Sequence, residues 1–334
     1  MADRKRPETP RAEKTLPGIW RLRLPLPWPG VPHGNVWAVA AQDGGIVLFD
    51  TGIGGKGGFR RFDLALAQAG FSVEDVRLVV CTHSHTDHYG LAGPIVEGAG
   101  CELWMHPAWE HVRLLGDDPA AALEQLIEVA RQSGVPPASL ERYRESRKGD
   151  DETGIDAIVE PDRDLLPGVE VETDLGNWQV HETPGHAPSH VVLHQPEHKL
   201  LISGDHLLGR TVLFFDHGHT PDPIGEFLGG LDEIEPLEVD LVLPGHGRPF
   251  RDPAVKIAEA RRQVEQLLGK CRDALAEEER TAFEIVAEIV GPEGVNTPAS
   301  AWALQIVLSG LDHLAILGEV VALEGTDPQR WTLQ

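Results

Sequence analysis

Six consecutive residues, His83-Ser84-His85-Thr86-Asp87-His88, carry the densest chemistry in the chain. Three imidazoles and a carboxylate form a nitrogen and oxygen donor set of the kind Zn²⁺ prefers. The segment follows Leu78-Val79-Val80-Cys81, an apolar run bounded by polar residues that reads as a buried strand. Side chains alternate along extended backbone, so His83, His85 and Asp87 are expected to leave the strand end on one side. His88 follows where the chain turns and can reach the same volume from the other flank. The competing reading is a polar surface loop rich in histidine. Matching donors further along the chain weigh against it.

Thr183-Pro184-Gly185-His186 follows the alternating segment Trp178-Gln179-Val180-His181-Glu182. Ser203-Gly204-Asp205 follows Lys199-Leu200-Leu201-Ile202, and Pro244-Gly245-His246-Gly247 follows Asp240-Leu241-Val242-Leu243. Each is a short strand pattern, then a turn-forming residue, then a donor. Glycine beside the donor lets the backbone turn sharply and come close to a bound ion. Strand ends that converge on one edge of a sheet are where α/β proteins build their sites.

With these motifs the chain resembles the metallo-β-lactamase superfamily over roughly Leu16 to Phe250, and Leu48-Phe49-Asp50-Thr51-Gly52 is similar to its early strand-and-turn element. The resemblance implies an αββα sandwich and two divalent metal ions, zinc first, with manganese or iron as alternatives. It places His83, His85 and His186 on the first ion, Asp87, His88 and His246 on the second, and Asp205 between them. The β-lactam-hydrolysing branch that binds two zincs has cysteine where this chain has Asp205, which points to the broader, glyoxalase II-like hydrolases. The oxygen-reducing branch carries glutamate at the position of His85 and a flavodoxin-like domain, and neither is present.

The chemistry expected of such a site is hydrolysis of a small ester, thioester or lactone by a metal-bridging hydroxide, with Asp87 as the catalytic carboxylate that aims it. A phosphodiesterase or endoribonuclease is the alternative, and a mononuclear-iron dioxygenase acting on persulfides stands third. The full second-ion set, Asp87, His88 and His246, favours a hydrolase over the last. Trp28, Tyr89, His206 and His219 are the candidate substrate contacts.

A chain of 334 residues has room for one large core and a small second unit. Three cysteines, odd in number and widely spaced, suit a reducing compartment. No apolar run approaches the roughly 18–20 residues of a membrane span, and the polar start lacks the apolar region of a signal peptide, so the expectation is a cytoplasmic protein. The net charge of −24 disfavours polyanionic partners. A small-molecule substrate and a homodimer are the expected partners.

Residues 1–15 read as a disordered tail and 16–250 as the catalytic domain. Pro25 to Pro32 reads as a loop that cannot be strand. Residues 106–151 break the α/β rhythm with helical sequence, expected to serve as a lid, a dimer surface or a buttress; Leu114, Leu126 and Ile127 are among its candidate core positions. His217 and His219 lack an anchoring strand and are assigned to the pocket mouth. Residues 251–334, with an amphipathic helix, a capping box at Thr281-Ala282-Phe283-Glu284, a third helix opening at Thr297-Pro298 and a terminal hairpin, resemble a winged-helix module. From Thr281 onward the only cation is Arg330, against seven acidic residues, so DNA is not an expected ligand.

Overall fold

The structure, a computed structural model, describes residues 9–28, 30–147, 153–295 and 299–334. One sheet runs β1 (Arg11–Leu16), β2 (Ile19–Trp28), β3 (Val31–Ala40), β4 (Ile46–Phe49), β5 (Val76–Val80), β6 (Glu102–Met105) and β7 (Arg163–Asp164), in that spatial order. The second sheet contains β8 (Glu170–Thr173), β9 (Gly176–Glu182), β10 (Val191–Gln195), β11 (Leu200–Gly204) and β12 (Leu241–Pro244), in the order β12-β11-β10-β9-β8. Period-two alternation assigns each strand's faces. Val47 and Phe49 meet Leu200, Ile202 and Leu243 in the core between the sheets. Ile46 and Leu48 face outward onto Phe62, Leu66 and Ile95 of the helices α1 (Gly58–Ala69) and α3 (Ala92–Ala99). A short helix, α2 (Thr86–Tyr89), lies just before α3.

The outer face of the second sheet is covered by α7 (Pro223–Ile234) and α8 (Pro253–Ala274), completing the αββα sandwich. The insertion between β6 and β7 holds α4 (Arg113–Asp117), α5 (Pro119–Gln132) and α6 (Pro137–Ser146). The chain ends with β13 (Arg280–Thr281), α9 (Ala282–Gly294), α10 (Ala299–Ile316), β14 (Val320–Ala322) and β15 (Arg330–Leu333). The capping box is formed, with Thr281 Oγ1 accepting from Glu284 N and the Glu284 carboxylate accepting from Thr281 N. The expected Thr297-Pro298 helix start lies outside the described residues. One apolar core runs from Val192, Leu201 and Val242 of the sheet through α7 and α8 to Ile285, Leu311 and Trp331.

Three expectations change. The segment expected as a tail to residue 15 contains β1, which pairs antiparallel with β2 from Arg11↔Arg23 to Leu16↔Ile19. The Pro-rich segment is strand for most of its length: β2 runs through Pro25 and Pro27, and β3 includes Pro32. The physical reason is that β1 begins at Arg11, opposite Arg23, so beyond that point β2 has, among the described residues, a neighbour on one side only. A missing N–H on the free edge costs no ladder bond. In the insertion, Ile127 is buried, whereas Leu114 and Leu126 are exposed. Its far end braces the C-terminal elements: Ser133 O accepts from Phe283 N, Gln132 O accepts from Gln329 N, and Arg131 pairs with Asp327.

Candidate metal centre

Four strand ends meet at one edge of the sandwich. His83 and His85 leave the end of β5, and Asp87 and His88 sit on α2 directly after it. His186 follows β9, Asp205 follows β11 and His246 follows β12. Close approach demands glycine at two of these ends. A Cβ on Gly245 would collide with the Asp205 carboxylate and with His88, and Gly204 holds φ +47 with His190 where its Cβ would be. β3 stitches the β12 end in place: Asn35 Nδ2 donates to Pro244 O at 2.8 Å and Gly247 O at 3.0 Å, and Trp37 Nε1 to Pro244 O at 3.1 Å.

The structure brings all seven expected donors together. His85 Nδ1 lies 3.1 Å from His83 Nε2 and 3.0 Å from His186 Nε2, a trio of ring nitrogens facing one point. His246 Nε2 lies 3.1 Å from both Asp87 Oδ2 and Asp205 Oδ2, and His88 Nε2 lies 3.5 Å from Asp87 Oδ2. Asp205 spans the two groups, 3.6 Å from His88 Nε2 and 3.7 Å from His186 Nε2. The sets His83/His85/His186, Asp87/His88/His246 and His83/His88/Asp205 are each compact enough to hold an ion.

What the outward nitrogens do decides the chemistry. His88 Nδ1 lies 2.8 Å from Asp50 Oδ2, His85 Nε2 2.7 Å from Asp216 Oδ2, His186 Nδ1 3.1 Å from Phe214 O and His246 Nδ1 3.0 Å from His33 O. Each partner is an acceptor, so each ring donates outward. Thr82 Oγ1 donates to Asp50 Oδ1 at 3.0 Å and is thereby free to accept from His83 Nδ1, also at 3.0 Å. For all five rings the outward bond fixes which nitrogen keeps its hydrogen, so the other nitrogen is the one that would offer a lone pair to an ion, the arrangement by which outer partners orient metal ligands. Two of the inward atoms, His88 Nε2 and Asp205 Oδ1, are buried without a hydrogen-bond partner, a cost that a cation between them would remove. The residues fit a pair of divalent ions.

Electrostatically the two halves differ. Burial, reinforced by the neighbouring rings, holds His83 well below its ordinary pKa and His186 down at about 4. In the other half burial also opposes charge, but the carboxylates outweigh it: His246 is held up at about 10 by Asp205 and Asp87, and His88 well above its ordinary value by Asp87 and Asp50. Asp205 is driven well below the carboxylate range by His246 and His88, against the effect of burial.

The centre opens into a cavity of about 460 Å³ whose wall includes Trp28, Val112, Leu115, Val212, Phe214 and Trp302. Of the candidate substrate contacts, Trp28 and His219 line it. Tyr89 and His206 do not. Tyr89 is wholly buried, its hydroxyl donating to Val159 O at 2.7 Å, and His206 packs under Phe227, with ring centroids 4.7 Å apart. Both adjoin a donor in sequence, but the helical turn of α2 and the turn after β11 send these side chains into the core. Trp37 is likewise core. His190 braces Asp205 by accepting from its backbone N–H at 3.1 Å, rather than orienting His186.

Asp216 and His111, neither assigned a role from the sequence, form a third cluster with His85. Asp216 Oδ2 is 3.6 Å from His111 Nε2, and His111, buried and held down at about 4, stands 5.3 Å from the His219 ring. The available signal is the acidic residue directly before the His217-Gly218-His219 motif. That loop is tied to α10 by His217–Asp312 at 2.9 Å and Asp222–His313 at 2.8 Å.

Comparison with known proteins agrees with this geometry. Over 284 residues, covering 82% of this chain and 86% of the relative, the sequence is 24% identical to a probable metallo-hydrolase, YqjP, of Bacillus subtilis (strain 168). It is 27% identical to the acyl-coenzyme A thioesterase MBLAC2 of Gallus gallus, over 65% of this chain and 74% of that protein. The crystal structure of a metallo-beta-lactamase family protein from Thermus thermophilus superposes with a TM-score of 0.80 at 26% identity, covering 96% of this chain and 100% of that one. The description "Metallo-beta-lactamase superfamily" matches residues 29–246, the span that contains all seven converging donors. By fold, by the strand ends that carry its donors and by sequence, the chain belongs to the metallo-beta-lactamase superfamily and is one of its hydrolases.

Proposed function

We propose that the protein is a dinuclear metal-dependent hydrolase of small acyl compounds, with thioesters and other activated esters foremost and lactones in the same class. The observation that supports it above all is the set of five imidazoles, each held by an outward hydrogen bond that leaves its other ring nitrogen facing the site beside two carboxylates. His83, His85 and His186 would hold one ion and Asp87, His88 and His246 the other, with Asp205 shared. When bound, the ions supply a water acidified toward neutrality and an electrophile for the carbonyl oxygen.

The chain's own residues do the rest. Asp87 Oδ2, held by His246 Nε2 at 3.1 Å, is an ionised acceptor at the floor of the cavity, placed to take a hydrogen bond from the attacking water and fix its direction. Asp50 secures both halves through His88 and, by way of Thr82, His83. Asp216 holds His85, and His111 at its side remains neutral. The apolar wall excludes bulk water from the acyl group and selects substrates with hydrocarbon character. The named thioesterase among the relatives supports the thioester within this class.

Zinc is the ion favoured by this donor set, with manganese and iron as alternatives that elemental analysis separates. The deciding experiment is a hydrolysis screen with metal-quantified protein across thioesters, lactones, phosphodiesters and β-lactams. Turnover of acyl compounds, lost in His83→Ala and Asp87→Ala, is the expected result. Turnover of single-stranded RNA with none on acyl compounds would replace this reading with the nuclease.

A further inference from the structure

The chain carries 29 basic residues against 53 acidic ones, and many of the arginines are tied up in ion pairs. Arg113, Arg131, Arg144, Arg261 and Arg272 each meet carboxylates within 3.4 Å. Two arginines beside the candidate centre differ. Arg210 lines the cavity five residues after Asp205, and Arg248 stands two residues after His246. Both are exposed, and among the described residues neither has an acidic partner. Their loops touch: a Cβ on Gly209 would lie 3.6 Å from the Arg248 carbonyl oxygen and 3.2 Å from Phe250. The positive charge of Arg248 reaches inward as well. It adds to burial and to Arg23 in lowering the pKa of Arg21, against the pull of Glu13.

The cavity is therefore asymmetric. Over the His83/His85/His186 half stands an aromatic wall, with Phe214 5.7 Å from the His85 ring, 5.6 Å from His186 and 5.8 Å from Trp302. The lining also includes Gly247 and Arg210, and exposed Arg248 follows Gly247 directly, on a loop that touches the one bearing Arg210. An arginine at the cavity wall and a second on the touching loop, neither with a carboxylate partner among the described residues of a chain so rich in carboxylates, suit an anionic ligand.

We infer that the preferred substrate is an acyl compound with an anionic leaving group, whose acyl part lies against Phe214 and Trp302 while a phosphate or carboxylate on the departing thiol or alcohol pairs with Arg210 and Arg248. This rests on the acyl-hydrolase reading above and adds an orientation: the scissile carbonyl lies over the two donor sets, the hydrocarbon to one side and the charge to the other.

The test compares octanoyl-coenzyme A, whose leaving group carries phosphates, with the octanoyl thioester of N-acetylcysteamine, whose leaving group is neutral, on the metal-loaded full chain. The wild type is expected to favour the charged thioester in kcat/KM, with a preference that shrinks as salt is raised. Arg210→Gln and Arg248→Gln are each expected to reduce that preference about tenfold, mainly through KM, the loss of one charge-assisted contact. Octanoyl compounds bearing a terminal carboxylate on a short thiol separate carboxylate from phosphate as the anion read by the rim. Calorimetric binding of coenzyme A itself, about tenfold weaker in Arg210→Gln, reads the rim without turnover. Equal use of the charged and neutral thioesters, or a preference that both substitutions leave intact, overturns the inference while the acyl reading stands. Failure of every acyl compound to turn over, with coenzyme A still bound through Arg210, overturns the acyl reading and leaves the anion rim.

Discussion

The two halves of the centre are built on opposite electrostatic plans. His83 and His186 sit where burial strips them of protons, so their lone pairs are free before any ion arrives. His88 and His246 sit among Asp50, Asp87 and Asp205, which hold protons on both rings. In the absence of metal the first half therefore holds two rings kept neutral by burial beside His85, which Asp216 holds above its ordinary value against burial, and the other is a network of ion pairs. An ion entering the first half displaces little. An ion entering the second must expel protons, so occupancy there is the more sensitive to pH.

The largest expected effect comes from removing what the halves share. Asp205→Ala is expected to lower metal content from about two ions per chain toward one or none, with acyl hydrolysis reduced on the order of 10³-fold. Elemental analysis of metal-replete protein checks it. A single ion per chain in the wild type, insensitive to Asp87 or His246 substitutions, would break the two-half comparison altogether.

Metal removal gives the next effect, and its sign follows from the shifts. In the chelator-treated protein His246, held at about 10, contributes stability that is complete below its ordinary value of roughly 6.5 and is lost as pH rises through 10. His186, held at about 4, contributes stability that is present above roughly 6.5 and is lost as pH falls through 4. The Tm of metal-free protein is expected to decline on both sides of about pH 6.5 and that of loaded protein to lose the alkaline decline, because a ligated ring carries no proton to release. Parallel alkaline arms in the two thermal profiles would contradict the second half's plan.

Substitutions of the outer partners sharpen the contrast. Asp216→Asn leaves His85 with a weaker acceptor and is expected to cost about 10–100-fold in affinity for the first ion only. Asp50→Asn touches His88 directly and His83 through Thr82, so both affinities should fall. Competition titrations with a chromophoric chelator distinguish one affected step from two. The smallest effect is expected of Trp302→Ala. This half-exposed ring at the cavity wall should leave metal content unchanged and raise KM a few-fold for long acyl chains.

How far the sequence alone reaches follows from how local each feature is. The donor positions are local: strand, turn, glycine and donor lie within a few residues, and alternation gives the direction, so His83, His85, His186, Asp205 and His246 can be read and the structure brings them together. The sandwich is expected from the family resemblance that these local motifs carry. Positions set by partners distant in sequence cannot. Asp216 gains its place because Phe214 O and Asp216 N both engage His186. Trp302 reaches the cavity from α10, far past Asp205 in the chain. Pro25 and Pro27 lie beyond Arg23, where β2 no longer pairs with β1 among the described residues, so their missing N–H groups cost no bond to it. Tyr89 and His206 err in the other direction, since adjacency along the chain is a poor guide to adjacency in a pocket.

The two histidine–aspartate ties between α10 and the loop at 216–222 have a practical consequence for anyone reshaping the specificity of this protein. Phe214 and Asp216 travel with His217 and Asp222, whose partners Asp312 and His313 are adjacent residues on a helix far along the chain. A loop transplanted from a relative without its matching helix would arrive with two unanswered side chains and an aromatic wall facing a stranger. Loop and helix form a single exchangeable cassette, and libraries that vary acyl-chain preference should move them together.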